Sequence, residues 1–292
     1  MSTPVHDRLT CTGANGVGLV ADAYGHPDDP AVLLLHGGGQ TRHSWGGTAA
    51  TLARRGFHAV SADLRGHGES DWDPDGNYGF DAFRADTEAW CDLLASRSPH
   101  GRPAVVGASM GGLAGLWTEG SRAEEGLGPA GRALVLVDVA HRIEPEGVAR
   151  IVGFMTGRPE GFASLQEAAD AIAAYMPHRP RPTNLDGLAR NLRLGEDGRY
   201  RWHWDPRFMS PDRPRASAVP DVFADHASRL RMPVLLVRGR MSDVLSEDAA
   251  QEFLTIVPHA RYVDVGDAHH MVAGDKNDTF TDAVVEFLES LR

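Results

Sequence analysis

A serine flanked by glycines two positions away on either side is the pattern with the clearest chemical potential in this chain. Ser109 stands in Gly107-Ala108-Ser109-Met110-Gly111, after the apolar residues 104–106 and before an apolar helical pattern. In such a tight strand-to-helix turn the serine backbone is strained, and glycines at the flanking positions remove the clashes of bulkier residues. We therefore expect a nucleophilic hydroxyl at the C-terminal edge of a sheet, which requires a histidine, an acid and an oxyanion hole elsewhere.

A glycine-rich loop that precedes this serine is the candidate oxyanion hole. His36-Gly37-Gly38-Gly39 follows the apolar run 31–35, and glycines let the main chain approach a ligand closely. The backbone N–H groups of Gly38 and Met110 are predicted to converge on the developing oxyanion. Gly37 is expected to contact the substrate, and His36 to anchor the loop through hydrogen bonds.

The acid is expected in a loop after a later strand. Asp243 follows the apolar run 233–237. Its carboxylate is predicted to accept a hydrogen bond from the proton-bearing nitrogen of the histidine and so to fix the tautomer of the ring. Asp138, Glu247 and Asp248 are the alternatives. Asp138 ends the run 133–137 and faces the same crevice, where we predict a contact with the substrate.

The base is expected last, after the final strand. His269 and His270 follow the run 261–265 and come after the acid in the chain. Adjacent residues point in different directions, so only one of the two can reach Ser109. A metal site is not expected here, because no spaced set of carboxylates or cysteines accompanies the pair.

The elements that must position these residues are short apolar runs separated by helical patterns. Runs rich in Val and Leu, nearly continuous in their hydrophobicity, are typical of strands buried on both faces. They lie at 31–35, 57–62, 104–108, 133–137, 233–237 and 261–265, with helical patterns at 48–55, 81–96, 111–119 and 247–256. This alternation predicts an α/β fold with a parallel, doubly wound sheet. The segment up to residue 23 is predicted to add an antiparallel hairpin at one edge.

The alternation stops between residues 141 and 232. This stretch has helical patterns at 145–155, 164–176 and 185–193 but no clear buried strand. We predict two parts of a core, 1–140 and 233–292, separated by a helical insertion at 141–232. The insertion could be stabilising decoration, but insertions at this edge overhang the ligand crevice, which favours a lid. Trp202 of the lid and Trp45 of the core are predicted to line the pocket.

Composition limits the possible partners. The 292 residues carry a formal net charge of −11 and a pI near 5.6, which argues against nucleic acid or an anionic membrane as partner. Cys11 and Cys91 are too few for a disulfide framework. No signal peptide and no apolar run near the ~18 residues of a membrane span are apparent. We expect a cytoplasmic protein that acts on a small molecule, either as a monomer or as a homo-oligomer.

Taken together, these motifs resemble the α/β-hydrolase superfamily over nearly the whole chain. Residues 36–39 are similar to its oxyanion loop, 63–70 to its D-x-R-G-x-G-x-S turn and 107–111 to its nucleophile elbow. The resemblance implies the α/β-hydrolase fold with a helical cap inserted at the C-terminal edge of the sheet. His270-Met271-Val272 resembles the terminal G-H-x-x pattern of the family and assigns the base to His270, although His269 stands where glycine is usual.

Within the superfamily the chain looks most like capped bacterial esterases and lactonases related to cofactor-free haloperoxidases. Ser109 argues against the epoxide hydrolase and haloalkane dehalogenase branches, which use an aspartate nucleophile. The resemblance implies hydrolysis of an ester or lactone of an apolar or aromatic molecule by Ser109, His270 and Asp243, through an acyl-enzyme and without cofactor or metal. A C–C bond hydrolase or perhydrolase with the same triad, or a slow ligand-binding receptor, are the alternatives.

Overall fold

An eight-stranded sheet organises the computed structural model, which describes residues 7–177, 181, 185–210, 219–266, 268–270 and 277–292. The sheet strands are β1 (Asp7–Thr12), β2 (Gly18–Tyr24), β3 (Ala31–Leu35), β4 (His58–Ala62), β5 (Ala104–Ala108), β6 (Ala133–Val137), β9 (Val234–Gly239) and β10 (Arg261–Val265). A separate hairpin comprises β7 (Leu192–Leu194) and β8 (Tyr200–Trp202). The α-helices are α1 (Gly46–Arg54), α2 (Phe80–Arg97), α3 (Met110–Glu124), α4 (Pro145–Thr156), α5 (Leu165–Tyr175), α6 (Leu185–Ala189), α7 (Pro220–Ser228), α8 (Glu247–Ile256) and α9 (Thr281–Glu289).

The strand order of the sheet is β1-β2-β4-β3-β5-β6-β9-β10. The pairs β1–β2 and β2–β4 are antiparallel and the other five pairs are parallel. The predicted N-terminal hairpin and the predicted mostly parallel, doubly wound sheet are thereby confirmed. Strands β3 to β6 are buried along their whole length, which explains why they are continuous apolar runs in the sequence.

The order of the strands brings the candidate loops together. From β3 the chain proceeds to β4 on one side of β3, and β5 then pairs with β3 on the other side. The loops after β3 and β5 therefore start side by side at the carboxyl edge, the usual place for a ligand in such sheets. Strands β6 and β9 are also neighbours, so the residues that follow them can meet at the same edge.

Apolar layers cover both faces of the sheet. Helices α1 and α9 pack together on one face, while α2, α3, α7 and α8 pack in sequence on the other. Two separate clusters of buried apolar side chains correspond to these layers. Helices therefore cover the sheet on both faces, and the loops at its carboxyl edge start from well-packed strands.

Between β6 and β9 lies the insert (residues 141–232), of which α4, α5, α6, the β7–β8 hairpin and α7 are described. The helices predicted at 145–155 and 164–176 are confirmed. The helix predicted at 185–193 is only partly right, because α6 ends at Ala189 and β7 begins at Leu192. The polar turn that ends in Gly198, whose φ is +75°, closes a hairpin whose second strand also pairs with Phe162.

The last helix of the insert packs on the sheet layer. His226 of α7 lies against Gly120 of α3 so closely that a Cβ at 120 would stand 2.2 Å from the His226 Cβ. Trp117 of α3 makes edge contacts with the rings of Phe223 and His226. The division of the chain at 141 and 232 stays a prediction. In the part of the chain that the structure describes, no helix is both long and apolar enough to cross a bilayer.

Candidate active site

Ser109 occupies a strained turn between β5 and α3. Its backbone angles are φ 47° and ψ −115°, a conformation that is costly for a residue with a Cβ. A Cβ at Gly107 would lie 2.3 Å from backbone atoms of residues 111 and 112, and one at Gly111 would lie 2.5 Å from the Leu35 carbonyl oxygen. The two glycines are therefore required by close packing of the backbone, as the sequence pattern predicts.

A cleft that we name the inner cavity opens above Ser109, with about 700 Å³ of empty space. Ser109, His270, Gly38 and Met110 line it together. The rest of its described lining is apolar and includes Leu113, Val139, Ile143, Val148, Val152 and Met155. A hydroxyl, an imidazole and two backbone amides thus meet in an otherwise apolar space, where electrostatic interactions are strengthened.

The loop after β3 directs its backbone amides in two ways. The N–H of Gly37 donates to the Gln40 Oε1 at 2.9 Å, and the N–H of Gly39 donates to the His67 Nε2 at 3.1 Å. Among the described residues no acceptor lies within hydrogen-bond reach of the Gly38 N–H. Gly38 lines the inner cavity beside Met110, so its amide is placed to bind an oxygen on a ligand.

Buried histidines support this loop from behind. The His36 Nε2 accepts from the Leu64 N–H at 3.0 Å while its Nδ1 contacts the Gly37 carbonyl at 2.8 Å. The His203 Nδ1, from the insert, accepts from the Gly68 N–H at 2.6 Å. Burial lowers the pKa of His36 to about 4 and that of His203 well below its ordinary value. Both rings are therefore neutral near pH 7 and act as hydrogen-bonding supports.

A buried cation fixes the 63–70 turn that carries Gly68. The Arg65 guanidinium, fully buried, donates to Asp86 at 2.6 Å and to Asp73 at 2.8 Å. Asp63, also fully buried, accepts from the Arg42 N–H at 2.7 Å and from the Glu69 N–H at 2.9 Å. These contacts tie the turn to α2 and to Arg42, while the Gly39 N–H bond to His67 joins it to the loop after β3.

The imidazole of His270 is paired with a carboxylate. Its Nδ1 lies 2.7 Å from the Asp138 Oδ2, and both side chains are buried. The Asp138 carboxylate also accepts from the Gly239 N–H at 2.8 Å and from the Ser242 hydroxyl at 2.7 Å. An ionised carboxylate only accepts hydrogen bonds, so Nδ1 carries the ring proton and Nε2 keeps a free electron pair.

The residue predicted to hold the histidine is therefore corrected from Asp243 to Asp138. Asp243 lies beyond Ser242 in the same loop; its side chain is 36% exposed and forms an ion pair with Arg150 of α4. The side chain that points inward from this loop is Ser242, which donates to Asp138. Since β6 and β9 end side by side, either strand can place a carboxylate against the histidine, and here β6 does.

A second, outer cavity adjoins the inner one. Its described lining includes Arg150, Tyr175, Asp243 and His269, and it shares Ile151 and His270 with the inner cavity. His269 thus faces the outer cavity, whereas His270 stands at the boundary between the two. Met271 and Val272, which complete the predicted terminal motif, lie outside the described residues.

The other residues predicted to bind substrate are placed differently. Trp45 is fully buried in the apolar layer on the α1 face, so its prediction is corrected. Trp202 stacks on Trp204 with ring centroids 5.1 Å apart and is absent from the described lining of both cavities. A Cβ at Gly37 would stand 3.4 Å from the Ser109 Cβ, so this glycine borders Ser109. Asp138 contacts the histidine instead of facing open space.

Sequence reasoning missed two residues at this edge. The Ser242 hydroxyl donates to the Asp138 carboxylate, and Arg150 of the insert forms an ion pair with Asp243 in the loop after β9. Ser242 could have been found as a hydroxyl next to the predicted acid. Arg150 gave no local signal, because its partner is 93 positions away in the chain.

Comparisons with known proteins identify the family to which this chain is similar. The profile of the alpha/beta hydrolase family matches residues 32–283. An esterase of Mycobacterium tuberculosis is 32% identical over 258 residues, covering 85% of this chain and 78% of the relative. A 3-hydroxybutyrate-oligomer hydrolase of Cupriavidus necator is 30% identical over 264 residues, covering 85% of each. The crystal structure of an alpha/beta hydrolase from Novosphingobium aromaticivorans is similar with a TM-score of 0.76 and 25% identity, covering 99% of both chains.

Proposed function

Because the chain belongs to the alpha/beta hydrolase family and is a carboxylic ester hydrolase, we propose that Ser109, His270 and Asp138 are its catalytic triad. The observation that carries this proposal is the 2.7 Å contact between the His270 Nδ1 and the buried Asp138 carboxylate. It fixes the tautomer in which Nε2 can accept a proton. His270 and the strained Ser109 line the same cavity, as a base and its nucleophile must.

The reaction proceeds in two half-reactions. The Ser109 Oγ attacks the ester carbonyl carbon while its proton passes to the His270 Nε2. The tetrahedral intermediate collapses, the C–O bond of the ester breaks, and His270 returns the proton to the leaving alkoxide. Water then attacks the acyl-enzyme with His270 again as base, which releases the carboxylic acid and restores the serine. Asp138 stays ionised and stabilises the imidazolium in both steps.

The negative charge of each tetrahedral intermediate falls on the former carbonyl oxygen. We assign the Gly38 and Met110 backbone N–H groups to this oxygen, because both residues line the cavity beside Ser109. The Gly37 and Gly39 amides already donate to protein acceptors, which leaves Gly38 as the donor of that loop. A preorganised donor of this kind contributes roughly 10²- to 10³-fold to kcat.

The lining of the inner cavity supports an apolar acyl group as substrate. Apart from the groups assigned to catalysis, its described side chains are aliphatic, Met or Phe. Each buried CH₂ of an acyl chain would contribute about 0.8 kcal/mol to binding. Linear esters and lactones both meet these requirements. An oligomer of hydroxybutyrate, the compound class named for one relative, also contains ester bonds but is more polar than a simple alkyl ester.

We also propose that the insert acts as a cap. Helix α4 supplies several residues of the inner cavity, and Phe208 and Met209 add to its wall. The β8 end of the insert is held on the core, since the Tyr78 hydroxyl donates to Asp205 at 2.6 Å and Arg207 donates to the Asp73 carbonyl at 2.8 Å. The cap therefore shapes the pocket with one end fixed.

The test is a series of p-nitrophenyl esters from acetate to decanoate, together with simple and macrocyclic lactones, assayed with wild-type protein and Ser109→Ala. Wild type should prefer a chain long enough to fill the inner cavity, and Ser109→Ala should lose about 10⁴-fold or more in kcat. Trp45→Phe, a change in the buried layer away from both cavities, serves as control for general damage. Wild-type-like hydrolysis by Ser109→Ala would refute the proposal.

A further inference from the structure

We propose that Arg150 in the outer cavity selects esters whose alcohol half carries an anionic group such as a carboxylate. The proposal rests on the triad assigned above and extends it to the leaving group. It uses two observations: the two cavities meet at His270, and an ion pair stands in the outer one.

The two halves of an ester are assigned to the cavities by the position of the base. The acyl carbon bonds to Ser109 and its oxygen lies at Gly38, both in the inner cavity. The leaving oxygen must contact His270, which returns the proton to it. Since His270 and Ile151 line both cavities, the alcohol half continues past His270 into the outer cavity.

The outer cavity differs chemically from the inner one. The described side chains of the inner cavity, apart from the triad residues, are apolar, so a charged group placed there would lose its hydration without a partner. The described lining of the outer cavity adds the polar side chains of Arg150, Asp243, His269 and Tyr175 to apolar ones such as Met176 and Met241. The Arg150 side chain is 61% exposed and keeps further N–H donors besides those directed at Asp243.

The ion pair is held in place by its backbone surroundings. A Cβ at Gly147 of α4 would stand 2.1 Å from the Asp243 carbonyl oxygen, so the helix lies directly on this loop. The Glu144 N–H donates to the Val244 carbonyl at 2.8 Å, and the Ser246 hydroxyl donates to the Glu144 Oε1 at 2.5 Å. The backbone of α4 thus holds Arg150 beside the cavity, and the ion pair with Asp243 shows that the guanidinium can pair with a carboxylate there.

Asp243 then limits the attraction that Arg150 exerts on a substrate. Its charge neutralises part of the field of the guanidinium and repels an incoming anion. Removing Arg150 and removing the Asp243 charge should therefore change the preference for an anionic alcohol half in opposite directions. If the pair had only a structural role, both substitutions would change the preference for an anionic alcohol half in the same direction, because each breaks the same contact.

The experiment compares 3-(butanoyloxy)butanoate with 3-(butanoyloxy)butanamide, which differ in charge but hardly in size, by release of butyrate. The readout is the ratio of kcat/KM for the acid to that for the amide. Arg150→Met should lower this ratio about 5- to 10-fold, and Asp243→Asn should raise it about 3-fold, with smaller changes at 0.5 M salt. The control Arg158→Met, which breaks an ion pair with Glu167 in the same insert, should change it less than about twofold.

Ratios that stay within about twofold of wild type in both variants would overturn the proposal, as would a shift in the same direction. The triad proposal fails separately. If Asp243→Asn loses hydrolysis of both esters about 10³-fold or more, Asp243 is the triad acid and the account of both cavities is wrong. If the wild-type protein cleaves p-nitrophenyl esters but neither butanoyloxy substrate, the outer cavity does not accept such an alcohol half.

Discussion

Replacing Asp138 by Asn should remove the base function of His270 while leaving the imidazole ring in place. In Asp138→Asn the side-chain oxygen can still accept from Gly239, but its NH₂ then faces the His270 Nδ1. Two donors cannot pair, so the ring adopts the other tautomer, with its proton on Nε2. That nitrogen then cannot accept the Ser109 proton, and the variant loses its general base.

The magnitude follows from this loss. A wrong tautomer in a triad of this geometry costs about 10³- to 10⁴-fold in kcat, which is about 4 to 5.5 kcal/mol of transition-state stabilisation. Asp243→Asn breaks an ion pair whose members are 36% and 61% exposed. Such exposed pairs contribute about 1 kcal/mol or less, so the expected loss on a neutral ester is at most about 5-fold.

The assay is kcat on p-nitrophenyl butyrate for the two variants and wild type, with far-UV circular dichroism and urea unfolding to establish that each variant is folded. We expect Asp138→Asn to be slower than Asp243→Asn by about two orders of magnitude or more. A folded Asp138→Asn with near-wild-type kcat would refute the reasoning, and so would a larger loss in Asp243→Asn.

Three further predictions concern the support of the site and are measured by urea unfolding. Gly111→Ala places a Cβ 2.5 Å from a backbone oxygen of β3, which cannot move aside, so it should lower the free energy of unfolding by about 1 to 3 kcal/mol and reduce kcat; Gly128→Ala, with open space around it, should do neither. Arg65→Met leaves two buried carboxylates without their cation and should lower the free energy of unfolding by about 3 to 5 kcal/mol. The control Arg55→Met breaks an exposed ion pair and should lower it by less than about 1 kcal/mol. The His36 pKa of about 4 in the folded protein lies below its ordinary value of 6.5. As the pH falls, the unfolded chain therefore binds a proton at His36 before the folded protein does. The contribution of His36 to the free energy of unfolding is thus lost between pH 6.5 and about 4. His36→Gln should therefore reduce the loss of stability between pH 7 and 5 by about 2 kcal/mol.

Each of these has an outcome that contradicts it. Equal stability of Gly111→Ala and Gly128→Ala would show that the elbow can relax. Equal costs in Arg65→Met and Arg55→Met would mean that the buried cation is not needed by its carboxylates. A His36→Gln variant with the same pH dependence as wild type would show that this ring is not held neutral in the folded protein.

Most strands of the sheet were predictable because of their burial. Strands β3, β5 and β6, all fully buried, have the predicted bounds, and β4 and β9 differ by one or two residues. Strand β10 also has the predicted bounds, although its residues are exposed or half-buried. Strands buried on both faces form continuous apolar runs, and local sequence is then sufficient. The β7–β8 hairpin was not predictable in this way, because Leu194 is 61% exposed and its partner strand pairs with Phe162, far away in the chain.

The loop that carries Ser109 could be predicted more readily than the carboxylate that contacts His270. Ser109 depends on contacts within five residues and on the neighbouring loop, and glycine is required at these positions. Which carboxylate contacts His270 depends on which of two adjacent strand ends directs its side chain inward. The φ of Asp138, +55°, and the inward position of Ser242 in place of Asp243 decide this. Neither is visible in the sequence, where both aspartates follow apolar runs.

We propose that His270 activates Ser109 as a nucleophile, and covalent labelling of the serine measures this activation. The protein would be treated with a fluorophosphonate and its intact mass and tryptic peptides measured. We predict one adduct per chain, on Ser109, with labelling abolished in Ser109→Ala and slowed in Asp138→Asn to the same extent as ester hydrolysis. Full labelling of Ser109→Ala, an adduct on another residue, or an unlabelled wild-type protein that still cleaves esters would contradict it.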